Sequence, residues 1–97
     1  MIYHVTTNEN WTKALDNGYY EAPSLQTEGF IHMSKQNQVS GVLQRYYSGM
    51  KDLVLLHVDE TLLSEPLKYE YSPSVHQDFP HVYGQLNLDA VVKVEHL

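Results

Sequence analysis

Apolar and polar residues alternate at the start of the chain and then change to a helical spacing. Tyr3 and Val5 alternate with His4 and Thr6, which is the period expected of a half-buried strand. Apolar residues then recur at helical spacing through residue 15, and Gly18 stands where helices often end in a left-handed residue. The pattern predicts a strand over residues 2–6 and a short amphipathic helix through residue 17.

A second strand and helix are predicted after an irregular stretch. Residues 19–28 show no clear period and are interpreted as a loop with at most a short extended piece. Residues 29–34 are typical of a strand that places Phe30, His32 and Ser34 on one side and Ile31 and Met33 on the other. Ser34 is then expected to cap a helix that runs to about residue 48.

The second half of the chain predicts strands without long helices. An unbroken apolar run over residues 53–56 indicates a strand at residues 52–58 that is buried on both faces and hence central. One helical turn is expected at residues 60–63, and a strand at 67–71 has Tyr69 inward and Glu70 on the opposite face. Residues 72–80 are interpreted as irregular because of their prolines, and residues 90–94 as a closing strand.

This order of elements predicts an α+β fold. Two short N-terminal helices would pack on a mixed or antiparallel sheet of about five to six strands. At 97 residues the chain is expected to form a single domain, 1–97.

Composition and charge exclude several classes of function. The net charge is −6 and only six residues are basic, so the chain lacks the Lys and Arg clusters that grip a long nucleic acid. The absence of cysteine excludes disulfides and thiolate chemistry. No apolar run approaches the roughly 20 residues of a membrane span, and the first residues lack a signal-peptide pattern. The expectation is a cytoplasmic protein with no membrane partner.

Three histidines and one glutamate are the candidates for chemistry. His4, His32 and His81 each lie in a strand-like segment, and imidazole suits both proton transfer and hydrogen bonding. Glu70 lies among leucine and tyrosine, where a carboxylate needs a solvated cleft or a partner. Three imidazoles and a carboxylate are also a normal zinc ligand set, but no His-x-His or His-x-x-x-His pair supports one, so no metal is expected. Phosphate-binding loops and the Gly-x-Ser-x-Gly elbow of serine hydrolases are missing as well.

Several motifs resemble a known family. These are Tyr-His-Val-Thr at residues 3–6, Glu-Gly-Phe-Ile-His-Met-Ser at 28–34 and Phe-Pro-His-Val-Tyr-Gly at 79–84. Together they resemble the domain of unknown function family 952 over nearly the whole chain. That resemblance implies no particular activity.

A weaker resemblance is to the ADP-ribosyltransferase group, which includes the RNA 2′-phosphotransferases. Strands that read Tyr-His-Gly-Thr and Val-His-Leu-Ser in that group are similar to residues 3–6 and 31–34 here. The resemblance implies an ADP-ribosyltransferase-like fold, NAD or ADP-ribose as ligand and, for an enzyme, glycosyl or ADP-ribosyl transfer. The implied roles are ribose binding by His4, a pocket lined by Thr6 and Ser34, a ring stacked on Tyr46 or Tyr47, and stabilisation of developing positive charge by Glu70.

Three functional hypotheses remain open from the sequence. The first is a nucleotide-binding or nucleotide-modifying protein in which His4, His32 and Glu70 are the catalytic candidates, with His81 and Tyr83 as additional ligand-binding residues. The second is a non-catalytic interaction module with structural histidines, and the third is a metal-dependent enzyme with His and Glu ligands. Convergence of His4, His32 and Glu70 on one solvent-reaching cleft would favour the first. The sequence does not predict an oligomeric state.

Overall fold

A computed structural model describes all 97 residues. Strand β1 (Ile2–Thr7) leads directly into helix α1 (Asn8–Asn17), as predicted. Thr7 caps the helix by accepting a hydrogen bond from the backbone N–H of Asn10 at 3.1 Å, and Gly18 ends it at φ +86°. The helix buries Trp11 and Ala14 against the core.

The segment at residues 19–28, predicted to be a loop with at most a short extended piece, contains such a piece and also a helix that was not predicted. These are strand β2 (Tyr19–Tyr20) and helix α2 (Pro23–Glu28), which is followed by strand β3 (Ile31–His32). Pro23 is in the first turn of α2, where its missing N–H has no intrahelical partner to lose, and Gly29 ends the helix in the left-handed region. Elements of two and six residues are too short to show a period in the sequence.

The second predicted helix exists, but Ser34 does not cap it. Residues Gln36–Gln38 form a 3₁₀ turn whose N-cap is Lys35, and helix α3 (Val39–Tyr46) follows. The Lys35 backbone N–H donates to Gln38 Oε1 at 2.9 Å. Ser34 instead pairs with Tyr3 as a single antiparallel bridge, which joins the segment after β3 to β1.

Strand β4 (Leu53–Val58) occupies the predicted central position. It lies between β1 and β8 (Val91–His96) in an antiparallel sheet, with His4 opposite Leu56. The predicted helical turn is also present, as a 3₁₀ turn at Glu60–Leu62.

The prediction of an irregular segment at residues 72–80 is wrong. Strand β5 (Leu67–Ser72) and strand β6 (Gln77–Val82) form an antiparallel hairpin, and β6 is the middle strand of the sheet β3-β6-β5. Pro80 fits there because its backbone polar groups are directed towards the β3 segment and not towards β5. The Pro80 C=O accepts from the Met33 backbone N–H at 2.9 Å, and the N–H that proline lacks would lie on this same side. Tyr69, which was predicted to face inward, is 48% exposed.

The architecture is an α+β domain with three α-helices and three antiparallel sheets. The third sheet pairs β2 with β7 (Leu86–Asn87). The eight strands exceed the expected five to six because three of them are only two residues long. None of the helices combines the length and apolar character needed to cross a membrane.

The sheet β1-β4-β8 separates two hydrophobic cores. The larger contains Ile2 and Leu56 and is closed by α1 and the strands of the other sheets. The smaller contains Tyr3 and Val5 and is covered by α3. Alternate residues of β1 therefore face different cores, and His4 and Thr6, which share a face as predicted, point into the larger one. Both faces of β1 are buried, whereas the sequence predicted a half-buried strand.

Candidate functional site

A cleft of about 560 Å³ opens between α3, the middle of β1 and the sheet β3-β6-β5. Gln38 holds the start of α3 against β6, since its Nε2 donates to the Asp78 backbone carbonyl at 2.8 Å. The cleft size lies within the usual range for small-molecule sites. Its 14 lining residues are His4, Val5, Glu28, His32, Met33, Ser34, Val42, Tyr46, Tyr47, Tyr71, Ser72, Pro73, Phe79 and His81.

His4 reaches the cleft from β1, yet both of its ring nitrogens have partners within the protein. Its Nδ1 lies 2.6 Å from the His32 backbone carbonyl oxygen, and its Nε2 lies 2.8 Å from Tyr20 Oη. Tyr20 Oη is in turn 2.9 Å from Thr6 Oγ1. His4 is 7% exposed, and Tyr20 and Thr6 are still less exposed. These three side chains form a buried hydrogen-bonded chain behind the cleft.

The electrostatics of this chain keep His4 neutral. Burial, partly opposed by the hydrogen bond to the His32 carbonyl, lowers the pKa of His4 to about 4. A carbonyl oxygen only accepts, so the single ring proton of neutral His4 is on Nδ1, and Nε2 accepts from the Tyr20 hydroxyl. Tyr20 Oη also shares a hydrogen bond with Thr6 Oγ1, and burial raises the pKa of Tyr20 to about 12. His4 is thus committed to two internal bonds.

His32 and His81 lie side by side on the face of the sheet that borders the cleft. They are directly opposite each other across β3 and β6, and their ring centroids are 5.1 Å apart. Phe30 stacks on His81 at 4.0 Å and meets His32 edge-on at 4.8 Å. His32 Nε2 is 2.6 Å from Glu28 Oε2, at the end of α2. Cross-strand pairing of two short segments therefore brings together two imidazoles that are 49 positions apart in sequence.

Glu70 orients His81 from the neighbouring strand. His81 Nδ1 donates to Glu70 Oε1 at 2.8 Å, and the Tyr83 hydroxyl donates to the same oxygen. The hydrogen bond from Tyr83, and after it the bond from His81, lowers the pKa of Glu70. The bond to Glu70 raises the pKa of Tyr83. Lys68 Nζ lies 4.8 Å from the Tyr83 ring centroid. Glu70 is thus an ionised carboxylate that fixes the His81 ring, and it leaves His81 Nε2 without a protein partner.

The structure divides the predicted site residues into those that line the cleft and those behind or beside it. Lining the cleft are His4, His32, Ser34, Tyr46, Tyr47 and His81. Glu70 and Tyr83 do not line it and are linked to it through His81. Thr6 is behind the cleft and contacts it only through Tyr20 and His4. The Tyr47 hydroxyl already has a partner within the protein, since it donates to the Val5 carbonyl at 3.1 Å. Burial also raises the pKa of Tyr47.

Several residues of the site were not found from the sequence. Tyr20 and Glu28, the partners of His4 and His32, fall in the segment interpreted as a loop. Phe30 was visible as a neighbour of His32 on the same face, which was the available signal for an aromatic cluster. Tyr71 and Phe79 line the cleft from the hairpin that was interpreted as irregular.

The remaining hydrogen-bonding capacity defines what the cleft can do. Four lining groups make no side-chain hydrogen bond within the protein, namely Ser34 Oγ, Tyr46 Oη, His32 Nδ1 and His81 Nε2. They suit a ligand with hydroxyl or amide groups. The metal-dependent hypothesis lacks such support, because no group of three or more His, Asp or Glu side chains is arranged to hold a metal ion.

Comparison with known proteins places the chain in a family. A crystal structure of protein CC0527 from Caulobacter crescentus is 32% identical with a TM-score of 0.87, covering 96% of this chain and 82% of that chain. The solution NMR structure of CC0527 is 32% identical with a TM-score of 0.84, covering 99% and 83% respectively. No protein with a curated description matches, and no comparison supports the ADP-ribosyltransferase resemblance. Since the sequence profile of DUF952, a protein family of unknown function, matches residues 5–94, the chain belongs to the DUF952 family.

Proposed function

We propose that the cleft binds a nucleotide such as NAD or ADP-ribose. The observation that carries this proposal is the convergence of His32, Ser34, Tyr46 and His81 on one cleft of about 560 Å³. These residues come from three separate segments of the chain, and all four offer a hydrogen-bonding group that the protein does not use. Sites with this combination of aromatic walls and a few convergent polar groups are typical of small-molecule binding.

The sugar and the base of such a ligand would use different parts of the cleft. Ser34 Oγ and His81 Nε2 are the groups proposed to hold the ribose hydroxyls, and Tyr46 and Tyr47 are proposed to cover the ring. His4 has a supporting role in this proposal because both its nitrogens already have partners. Glu70 acts through His81, whose ring it fixes.

Titration with NAD and ADP-ribose tests this proposal. We expect dissociation constants below about 1 mM by calorimetry, which corresponds to a binding free energy of only about 4 kcal/mol. In ¹H–¹⁵N spectra the shifts should concentrate at residues 32–34, 46–47 and 79–81. Absence of heat and of shifts at millimolar concentrations of both nucleotides would rule the proposal out.

The chain provides a matched control for the histidine of the site. His81 and His57 each bond a glutamate, at 2.8 Å to Glu70 and at 2.9 Å to Glu95, but only His81 lines the cleft. His81→Ala should weaken nucleotide binding at least tenfold, whereas His57→Ala should leave it unchanged. Equal effects of the two variants would indicate a general loss of structure rather than a binding site.

A second candidate function is the recognition of a polypeptide. It is favoured by Tyr46 and Tyr71, which line the cleft and are 65% and 59% exposed. Exposed tyrosines supply contact area and a hydroxyl without requiring chemistry. Shifts that appear with an unlabelled peptide library and not with nucleotides would favour this function.

A further inference from the structure

The cleft lining contains no lysine or arginine, although the chain has six. Two of these cations are next to lining residues: Lys68 is opposite His81 across β5 and β6, and the Arg45 guanidinium lies 5.7 Å from the Tyr46 ring centroid. Arg45 is exposed and does not line the cleft. An anionic group inside the cleft would therefore meet no lysine or arginine among the side chains that line it.

One carboxylate lines the cleft and a second lies beside it, and each is hydrogen-bonded to an imidazole of the lining. Glu28 is itself a lining residue bonded to His32, and Glu70 is bonded to His81. Lys68 acts electrostatically on Glu70 and offsets the charge of that carboxylate, so with neutral histidines the lining carries the single negative charge of Glu28. His4 adds none above about pH 4, where burial keeps it neutral. The lining is thus negative whenever His32 and His81 are both neutral.

The walls of the cleft are rich in aromatic rings. Tyr46, Tyr47, Tyr71 and Phe79 line it together with the imidazole rings. The face of a tyrosine or phenylalanine ring attracts cations through its quadrupole, and the attraction increases when the cation is taken out of water. Aromatic faces beside a carboxylate are therefore complementary in charge and shape to a flat cation.

From this charge and shape we infer that the cleft selects a flat organic cation, of the pyridinium type, over a neutral ring of the same size. This inference rests on the proposed use of the cleft as a small-molecule site and specifies which chemistry enters it. For a dinucleotide, the cleft would take the positively charged ring and leave the diphosphate outside. NAD would then bind more tightly than ADP-ribose, which lacks that ring.

Three small probes separate charge from size. 1-Methylnicotinamide carries a permanent positive charge, nicotinamide lacks the methyl group and the charge, and 6-methylnicotinamide carries a methyl group without the charge. In ¹H–¹⁵N titrations at pH 7 we expect 1-methylnicotinamide to bind at least tenfold more tightly than either neutral probe. The shifts should involve residues 28, 32, 46 and 79.

Glu28→Gln tests the electrostatic part of the inference, and Glu95→Gln is its control. Both glutamates bond an imidazole, at 2.6 Å for His32 and 2.9 Å for His57, but Glu95 is outside the cleft. Glu28→Gln should weaken binding of 1-methylnicotinamide several-fold with little effect on the neutral probes, and Glu95→Gln should change neither. Well-dispersed spectra of both variants would show that they are folded.

The possible outcomes distinguish this inference from the proposed function. Equal affinities for the charged and neutral probes would overturn the inference and leave a small-molecule site. Binding of ADP-ribose at least as tight as that of NAD, without binding of 1-methylnicotinamide, would overturn it and leave the nucleotide proposal. Absence of binding by every compound would overturn both.

Discussion

The buried imidazole of His4 predicts a specific dependence of stability on pH. Its pKa is lowered from 6.5 to about 4 in the folded protein, mainly because burial removes the charged form from water. Between these values the unfolded chain binds a proton at His4 that the folded chain does not. Stability from this group is therefore complete above about pH 6.5, is lost as the pH falls towards 4, and changes no further below that.

The size of the effect follows from the shift. At roughly 1.4 kcal/mol per pH unit, a change from 6.5 to about 4 corresponds to about 3 kcal/mol of unfolding free energy. That is a large part of the roughly 5–15 kcal/mol expected for a small domain. Most of it should be lost between about pH 6.5 and pH 4.5, before the carboxylates of the unfolded chain take up their protons.

Comparison with His4→Gln isolates this contribution. Glutamine does not titrate and can still donate to the His32 carbonyl, so the variant should be destabilised by about 1–3 kcal/mol at pH 7. Urea unfolding of both proteins at pH 7, 6, 5 and 4.5 should show the unfolding free energy of the wild type falling by about 2–3 kcal/mol relative to that of the variant as the pH falls. Other titrating groups affect both proteins alike and cancel in the difference.

Two results would refute the reasoning. One is a free-energy difference between the two proteins that stays constant from pH 7 to pH 4.5. The other is an NMR titration in which the His4 ring changes protonation near pH 6.5. Either would mean that the His4 side chain reaches water and does not form the buried bonds to His32 and Tyr20.

Two further predictions concern packing and hydrogen bonding. Tyr20→Phe removes the hydroxyl between His4 and Thr6 and should lower the unfolding free energy measured in urea by about 1–3 kcal/mol, because two buried polar atoms lose that partner. The control Tyr19→Phe should lower it by less than about 0.5 kcal/mol. Leu56→Ala, at a fully buried position of the central strand, should cost about 2–5 kcal/mol, and a cost as small as that of an exposed leucine would contradict the described core.

The elements that could be predicted from the sequence are those with a long enough period or clear ends. Strand β1 shows alternation, α1 has Thr7 and Gly18 as caps, and β4 has an unbroken apolar run. Strand β6 was missed because Pro80 indicates a break in a central strand. The side of Pro80 that lacks an N–H, however, is directed towards the segment of β3, and β3 itself is only two residues long.

Most of the site depends on pairing between segments that are distant in sequence. His32 and His81 meet only because β3 and β6 pair in one register, and a shift of a single residue would place their rings on opposite faces. No local spacing encodes that register. The contacts of Glu28 and Tyr20 depend on the short elements α2 and β2, whose positions are set by tertiary packing rather than by a pattern of their own.

The histidines that the sequence grouped together have different physical roles. The shared face of His4 and Thr6 is real, but it points into the larger core, where the Tyr20 hydroxyl joins the two side chains. His32 and His81 each give one nitrogen to a glutamate and keep the other without a protein partner. A histidine with both nitrogens bonded inside the protein stabilises the fold, whereas one held on a single side by a carboxylate is oriented and still able to bind. For this reason His81, rather than His4, is the imidazole best placed to bind a ligand.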